Sequence, residues 1–208
     1  MEVGAMERVA RLFDGVLFAV VAAGAVRATV RSGRRATERR VGSAGGLRPV
    51  VQILAAILFF GVGALLWAPI PVAVSGLVAG LAGTVGFLAC TGGQCLYLWG
   101  LRTLGDDFAP SSAVGARTLH GQHLVTTGPY AFIRRPMYAG LVLAAGGAVL
   151  LYRTWASALA VPVSLTLMLR ARLEDRVLEA EFGDAWRAWR DRVPALLPRL
   201  PRWRNSHV

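Results

Sequence analysis

Five apolar stretches, separated by polar connections rich in arginine, set the pattern of this chain. They run from about Leu12 to Val30, Val50 to Ala68, Val72 to Leu101, Met137 to Tyr152 and Trp155 to Leu169. The first holds Asp14 near its start and Arg27 near its end. Both side chains can snorkel to an interface, so a spanning helix is expected there. Pro69 and Pro71 end the second and leave a tight, uncharged turn. The third covers about 30 residues, roughly 45 Å as a helix, and so has to tilt, kink or project from a bilayer core. Its later part, T-G-G-Q-C-L-Y-L-W-G, is glycine-rich and polar. There Gly92 and Gly93 allow helices to approach closely, and Gln94 should face protein rather than lipid. The fourth and fifth stretches are short for a bilayer, and Arg153-Thr154 joins them into a hairpin. The fifth is expected to continue as one helix through R-A-R-L-E-D-R-V-L-E-A-E-F, entering water as it becomes charged.

Between the third and fourth stretches lies a polar insert, Arg102 to Arg135, with Asp106, Asp107, His120, Gln122 and His123. Its end, T-T-G-P-Y-A-F-I-R-R-P-M-Y-A-G at Thr126–Gly140, concentrates turn formers, tyrosines and an arginine pair. Gly128-Pro129 marks a chain reversal. Pro136 suits the first turn of the following helix, where its missing N–H costs nothing. A helix start carries free N–H groups and a partial positive charge; Arg134 and Arg135 add to it, making a site for a carboxylate or a phosphate. The competing reading is that these arginines are topology signals and the tyrosines interface anchors.

Composition places the whole pattern in a membrane. Of 208 residues 55% are hydrophobic, and the mean hydropathy is +0.50, values of a polytopic membrane protein. The net charge of +11 rests on arginine alone, since lysine is absent. Because the arginines alternate with long apolar segments, anionic lipid rather than nucleic acid is the expected partner. The Arg31–Arg48 loop, the Arg102–Arg135 insert and the Arg170–Arg204 tail fall on one side of a five-span chain. The uncharged turn, Arg153 and the N-terminus fall on the other, which predicts N-terminus out and C-terminus in the cytoplasm. The arginine-only, Ala/Gly/Val-rich usage points to a GC-rich, bacterial genome and an inner-membrane location. The first apolar run has neither a basic leader nor an A-x-A exit, so no cleavable signal peptide is expected.

Cys90 and Cys95 lie within an apolar run on different sides of a helix and away from any histidine, so they read as packing residues. No metal site is predicted. Dinucleotide, phosphate-loop and zinc-protease motifs are absent, and Ser111-Ser112 with His120 and Asp107 lack a nucleophile-elbow context. On the charged extension, Arg170 and Glu174 share a helix face while Asp175 and Leu178 look elsewhere. Its baseline reading is a solvated helix laced with ion pairs. Since the hairpin makes the two helix ends neighbours, Glu174 and Asp175 should instead approach Arg134, Arg135 and Tyr138, a set of opposite charges suited to a zwitterionic ligand. After Gly183, Trp186, Trp189 and Val193 at i, i+3, i+7 predict an amphipathic helix lying on the membrane surface, tryptophans down. Arg192 would either bind lipid phosphate or close the pocket.

From Tyr97 to Pro198 the chain resembles the isoprenylcysteine carboxyl methyltransferase family of integral membrane methyltransferases. The resemblance is carried by L-R-T-L-G at Leu101–Gly105, L-V-T-T-G-P-Y at Leu124–Tyr130 and R-R-P-M-Y-A-G at Arg134–Gly140. R-x-x-x-E-D at Arg170–Asp175 and F-G-D-A-W-R-A-W-R-D-R-V-P at Phe182–Pro194 continue it. It implies an all-α fold divided into an N-terminal membrane part, residues 1–95, and a methyltransferase part, residues 96–208. It also implies S-adenosylmethionine as methyl donor, in a pocket facing the cytoplasm. By the same resemblance Leu124, Val125, Gly128, Pro129 and Tyr130 would line the cofactor pocket, Arg134, Arg135, Pro136 and Tyr138 would continue its wall, and Glu174 with Asp175 would close it. Arg134, Glu174 and Arg192 are the expected catalytic residues, Arg192 meeting a substrate carboxylate. The family usually has histidine where this chain has Arg135, and a second glutamate where it has Asp175. Arginine stays protonated and cannot serve as a proton acceptor.

The expected acceptor is lipophilic and arrives sideways from the bilayer: an isoprenylcysteine carboxylate or another small lipid, isoprenoid acid or thiol. Two rivals accompany this reading. One is an NADPH-dependent sterol-type membrane reductase, whose C-terminal pattern is similar. The other is a catalytically silent membrane module, for which Arg135 is the warning.

Overall fold

A computed structural model describes residues 2–38, 58, 61–72, 74–108 and 124–196. It describes the side chains of these except residues 2–4, 32–38, 106, 167–174, 177 and 181. Four long helices organise it: α1 (Glu2–Glu38), α2 (Gly76–Leu104), α3 (Pro136–Tyr152) and α4 (Trp155–Arg192). Among the described residues there is no strand, only an isolated antiparallel bridge between Pro69 and Thr154, so the fold is all-α. Two of the helical segments, Ala5–Arg31 and Gly76–Leu104, are long and apolar enough to cross a membrane, and Pro136–Tyr152 and Trp155–Thr166 are shorter apolar helices. Most of the Val50–Ala68 stretch and the whole of residues 109–123, with Ser111, Ser112, His120, Gln122 and His123, lie outside the described residues.

Small residues let α2 and α3 pack backbone to backbone, and theirs is the most extensive interface among the described elements. A Cβ placed on Gly86 would lie 2.7 Å from the Leu151 amide, one on Gly147 2.6 Å from the Cys90 amide, and one on Gly93 2.6 Å from the Ala144 amide. Near the other end, a Cβ on Gly100 would meet Met137 at 2.8 Å. As numbers rise along α2 they fall along α3, so the helices are antiparallel. Without a water-driven hydrophobic effect in lipid, such close packing is what holds helices together. Gly93 does what the sequence predicts, but Gly92 is exposed with nothing within 4 Å of its Cβ position. Cys90 is buried in this interface, where its Sγ donates to the Ala144 carbonyl at 3.3 Å, whereas Cys95 is exposed.

The turn between α3 and α4 is the two-residue connection the sequence indicates. Arg153 ends α3 in the left-handed conformation, φ 54°. Thr154 caps α4: its Oγ1 accepts from the Ser157 amide at 3.3 Å, while Ser157 Oγ accepts from the Thr154 amide at 3.2 Å. This reciprocal pair satisfies two donors that a helix start otherwise leaves open. The proline turn packs on the same place, with the Ile70 amide bonding Arg153 O at 2.8 Å and the Trp155 amide bonding Ala68 O at 3.1 Å.

α1 runs parallel to α2, with Gly83 beside Glu7 at one end and Gly24 beside Leu98 and Leu101 at the other. Asp14 does not snorkel to an interface. It is buried, 3% exposed, accepting from Gln94 Nε2 at 2.7 Å and from the Tyr152 hydroxyl at 2.8 Å. A carboxylate in an apolar bundle is tolerated when donors surround it. Gln94, as expected, faces protein.

α4 continues well past its apolar part and breaks at Gly183, whose φ of 52° and ψ of −122° interrupt the helix. That conformation is costly for any residue with a Cβ. The final turns, Asp184 to Arg192, therefore leave in a new direction and fold back onto the start of α3.

Candidate functional site

The site grows from the turn before α3. Gly128 adopts φ 59°, and its Cβ position lies 2.8 Å from Thr103 Oγ1 on α2, so glycine is needed there for both backbone and space. Pro129 follows at the first turn of a short 3-10 helix, Gly128–Ala131, and is fully buried. Tyr130 is then set inward, 7% exposed. It forms a buried cluster with Trp186, Trp189 and Val193, flanked by Leu104, Leu124, Val125, Leu178 and Phe182. Trp189 Nε1 donates to the Tyr130 carbonyl at 3.3 Å.

This corrects the surface-helix expectation. The stripe Trp186, Trp189, Val193 is present, but it is buried against Tyr130 rather than laid on lipid. The Gly183 break turns the helix back over the protein and makes that possible. Leu178 and Phe182 extend the same apolar wall on the near side of the break.

Arg134 and Arg135 follow directly. The chain after α4 passes alongside them: the Arg134 amide donates to Pro194 O at 2.8 Å and the Arg135 amide to Ala195 O at 2.9 Å. These two amides, just ahead of α3, thus serve the C-terminal segment and not an anion. The guanidiniums carry the charge of the site instead. Arg135 Nη2 binds Asp175 Oδ1 at 2.6 Å, and Arg134 Nη1 binds Asp175 Oδ2 at 3.2 Å. Arg134 Nε also donates to Val193 O at 3.0 Å. Both arginine side chains are largely enclosed, 12% and 13% exposed, with Asp175 at 27%. Arg134 lies over the Trp186 ring at 5.6 Å and Arg135 over Tyr138 at 5.9 Å, distances of cation–π contact.

The structure thus brings Leu124, Val125, Pro129, Tyr130, Arg134, Arg135, Tyr138 and Asp175 into one neighbourhood, with Gly128 and Pro136 shaping the turn and the helix start. Pro136 is fully buried and meets Gly100 of α2. Asp175 meets Arg134 and Arg135, as expected from the hairpin, and Leu178, which the sequence reading placed off the Arg170–Glu174 face, packs against the same neighbourhood. Glu174 lies in α4, and its side chain is outside the described residues. Arg192 is exposed, its Nε donating to Ala188 O of its own helix at 3.0 Å. The residues missed from sequence are Trp186 and Trp189. Their i, i+3, i+7 spacing with Val193 already signalled a buried face; only the partner was misjudged.

The apolar helices thus pack on a glycine seam and carry a charged, largely enclosed cluster at one end. Residues 81–185 match the family model described as phospholipid methyltransferase. The chain belongs to that family. A protein-S-isoprenylcysteine O-methyltransferase of Schizosaccharomyces pombe is 31% identical over 119 residues, which are 56% of this chain and 49% of the relative. The chain thus spans about half the length of the curated relative it matches. A solved structure of the eukaryotic intramembrane Ras methyltransferase, an isoprenylcysteine carboxyl methyltransferase, aligns with TM-score 0.48 and 19% identity over 76% of this chain and 55% of that one. The family likeness read from the motifs therefore holds. The two departures from it, Arg135 and Asp175, are direct partners of each other at 2.6 Å.

Proposed function

We propose that this protein is an integral membrane methyltransferase that uses S-adenosylmethionine to methylate a lipophilic acceptor, with carboxyl O-methylation of an isoprenylcysteine-like or other lipid acid as the reaction. The observation that carries the proposal is the joining of the Tyr130–Arg135 segment to Asp175 and Trp186 of α4 in a single half-enclosed cluster. Its donor set suits the cofactor. An amino-acid end needs donors for a carboxylate and an acceptor for an ammonium, and the arginine pair, the Trp186 indole and Asp175 offer both. When bound, S-adenosylmethionine supplies an electrophilic methyl group on a sulfonium. The protein's part is to hold donor and acceptor in line and keep water out, which Tyr130, Pro129, Leu124 and Val125 serve by their bulk and burial.

Arg135 bears on the choice of acceptor. A guanidinium has no acceptor atom for a proton, so the acceptor has to arrive already ionised. A carboxylate does so at neutral pH; a thiol does not without a base. Arg134, Glu174 and Arg192 are the residues proposed to act on the reacting groups, Arg192 by meeting the acceptor carboxylate. Five spans with the N-terminus outside and the cluster facing the cytoplasm of a bacterial inner membrane complete the proposal. Supporting it, Glu7, the proline turn and Arg153 gather at one end of the helices, and Arg134 and Arg135 sit at the other. Anionic lipid headgroups would then lie beside the arginine-rich end.

The test is transfer of labelled methyl from S-adenosylmethionine to total membrane lipid extract and to a farnesylated cysteine carboxylate. A base-labile methyl ester, with saturable S-adenosylhomocysteine binding and no effect of NADPH, is the expected result. No transfer and no binding would remove the proposal; NADPH binding in their place would favour the reductase.

A further inference from the structure

One group in this cluster has no hydrogen-bond partner among the described residues. Trp186 is the most completely enclosed large side chain of the site, 2% exposed, yet among the described residues its Nε1–H makes no hydrogen bond. A buried N–H without an acceptor costs about 1–3 kcal/mol, and native structures rarely keep one without a use. Its described neighbours do not supply an acceptor. The Arg134 and Arg190 guanidiniums lie over the ring at 5.6 and 5.1 Å, while the indole N–H points outward in the ring plane. Guanidinium groups also have no acceptor atoms. Asp175 is engaged by the two guanidiniums and makes no hydrogen bond to the indole. Trp189, three residues on, shows the contrast: its Nε1–H is buried and satisfied by Tyr130 O.

We propose that the Trp186 indole N–H is a ligand-positioning donor that receives an anionic oxygen, a carboxylate, of the molecule bound beside Arg134. Indole donates only, so this position discriminates against ammonium or hydroxyl hydrogens and in favour of an oxygen lone pair. The nearby guanidiniums hold that oxygen in its ionised form and make the bond charge-assisted. Two carboxylates meet the description: that of the amino-acid end of the methyl donor and that of the acceptor. The inference rests on the methyltransferase reading, since that reading names the two ligands.

The test uses purified full-length protein in lipid nanodiscs with tryptophan indoles labelled with 15N, and Trp186→Phe to assign the Trp186 signal and remove the donor while keeping an aromatic ring under Arg134. In wild-type protein the Trp186 Nε1–H resonance should move downfield on adding either S-adenosylhomocysteine or a farnesylated cysteine carboxylate. Trp186→Phe should weaken the ligand responsible about tenfold or more, the worth of one charge-assisted hydrogen bond. If the donor's carboxylate is the partner, S-adenosylhomocysteine weakens and methylthioadenosine, which lacks that carboxylate, does not. If the acceptor's is the partner, the acceptor KM rises and S-adenosylhomocysteine binding stays the same. Ligands that bind wild-type protein without moving any of its tryptophan indole resonances would overturn the inference, and that outcome does not depend on how the variant folds. Absence of all binding to wild-type protein would instead strike at the methyltransferase reading itself.

Discussion

At the start of α3 two guanidiniums meet on one carboxylate, Asp175, beside an indole N–H that has no acceptor among the described residues. At the end of α3 the arrangement is the reverse: one buried carboxylate, Asp14, is met by two neutral donors, Gln94 and Tyr152. Around that second group Arg11 and Arg153 both pair with Glu7, and Arg11 Nε donates to Leu151 O at 3.2 Å. Its charges balance, and they tie α1 to the hairpin. The first group carries donors in excess of its described acceptors, whereas the unpartnered atom of the second, Gln94 Oε1, is an acceptor. Buried polarity in this bundle thus takes two forms: at one end it fixes a helix, and at the other it forms the proposed ligand site.

Breaking the scaffold between the two groups should have the largest effect. Gly147→Leu and Gly93→Leu drive a side chain into backbone of the facing helix, so a loss of more than about 3 kcal/mol is expected, beyond the usual overpacking range. Neither variant should give monodisperse protein in detergent. Gly92→Ala and Gly146→Ala, where nothing lies within 4 Å, should stay within about 1 kcal/mol of wild type in thermal unfolding.

The next largest effect separates the two groups directly. Asp175→Ala leaves two enclosed guanidiniums without their carboxylate and should cost about 3 kcal/mol, the low end for a buried pair because Asp175 is 27% exposed. It should also abolish S-adenosylhomocysteine binding. Asp14→Ala strands Gln94 Nε2, while the Tyr152 hydroxyl keeps the Arg11 carbonyl at 3.2 Å, and should cost about 2 kcal/mol, with ligand affinity unchanged. Isothermal titration beside thermal unfolding on both variants distinguishes a ligand site from a helix lock.

Arg192→Ala should have the smallest effect on the fold, within about 0.5 kcal/mol, because the side chain is exposed and bonds only its own helix among the described partners. If it meets the acceptor carboxylate, the acceptor KM should rise while S-adenosylhomocysteine affinity stays the same.

Much of this was readable from residues close in sequence. Pro136 opening α3, the Arg153-Thr154 turn and the charged continuation of α4 all follow from local rules of helix starts, stops and periodicity. The meeting of Arg134 and Arg135 with the acidic face of α4 followed from the hairpin. What escaped depends on partners far apart along the chain. Asp14 looks able to snorkel until Gln94, 80 residues on, and Tyr152, 138 residues on, are seen to reach it. Periodicity marked the Trp186–Trp189 stripe as buried, but its partner depends on the direction the chain takes at Gly183. The amides of Arg134 and Arg135 looked open to an anion because nothing local reveals that Pro194 and Ala195 return to cover them.

The most direct measurement of the central claim is S-adenosylhomocysteine binding to purified wild-type protein, Arg134→Gln and Asp14→Asn. Saturable binding that falls at least about tenfold, or 1.4 kcal/mol, in Arg134→Gln and is untouched in Asp14→Asn is the predicted result. Equal affinity in wild type and Arg134→Gln would contradict it, because the cluster at the start of α3 would then not be where the cofactor binds.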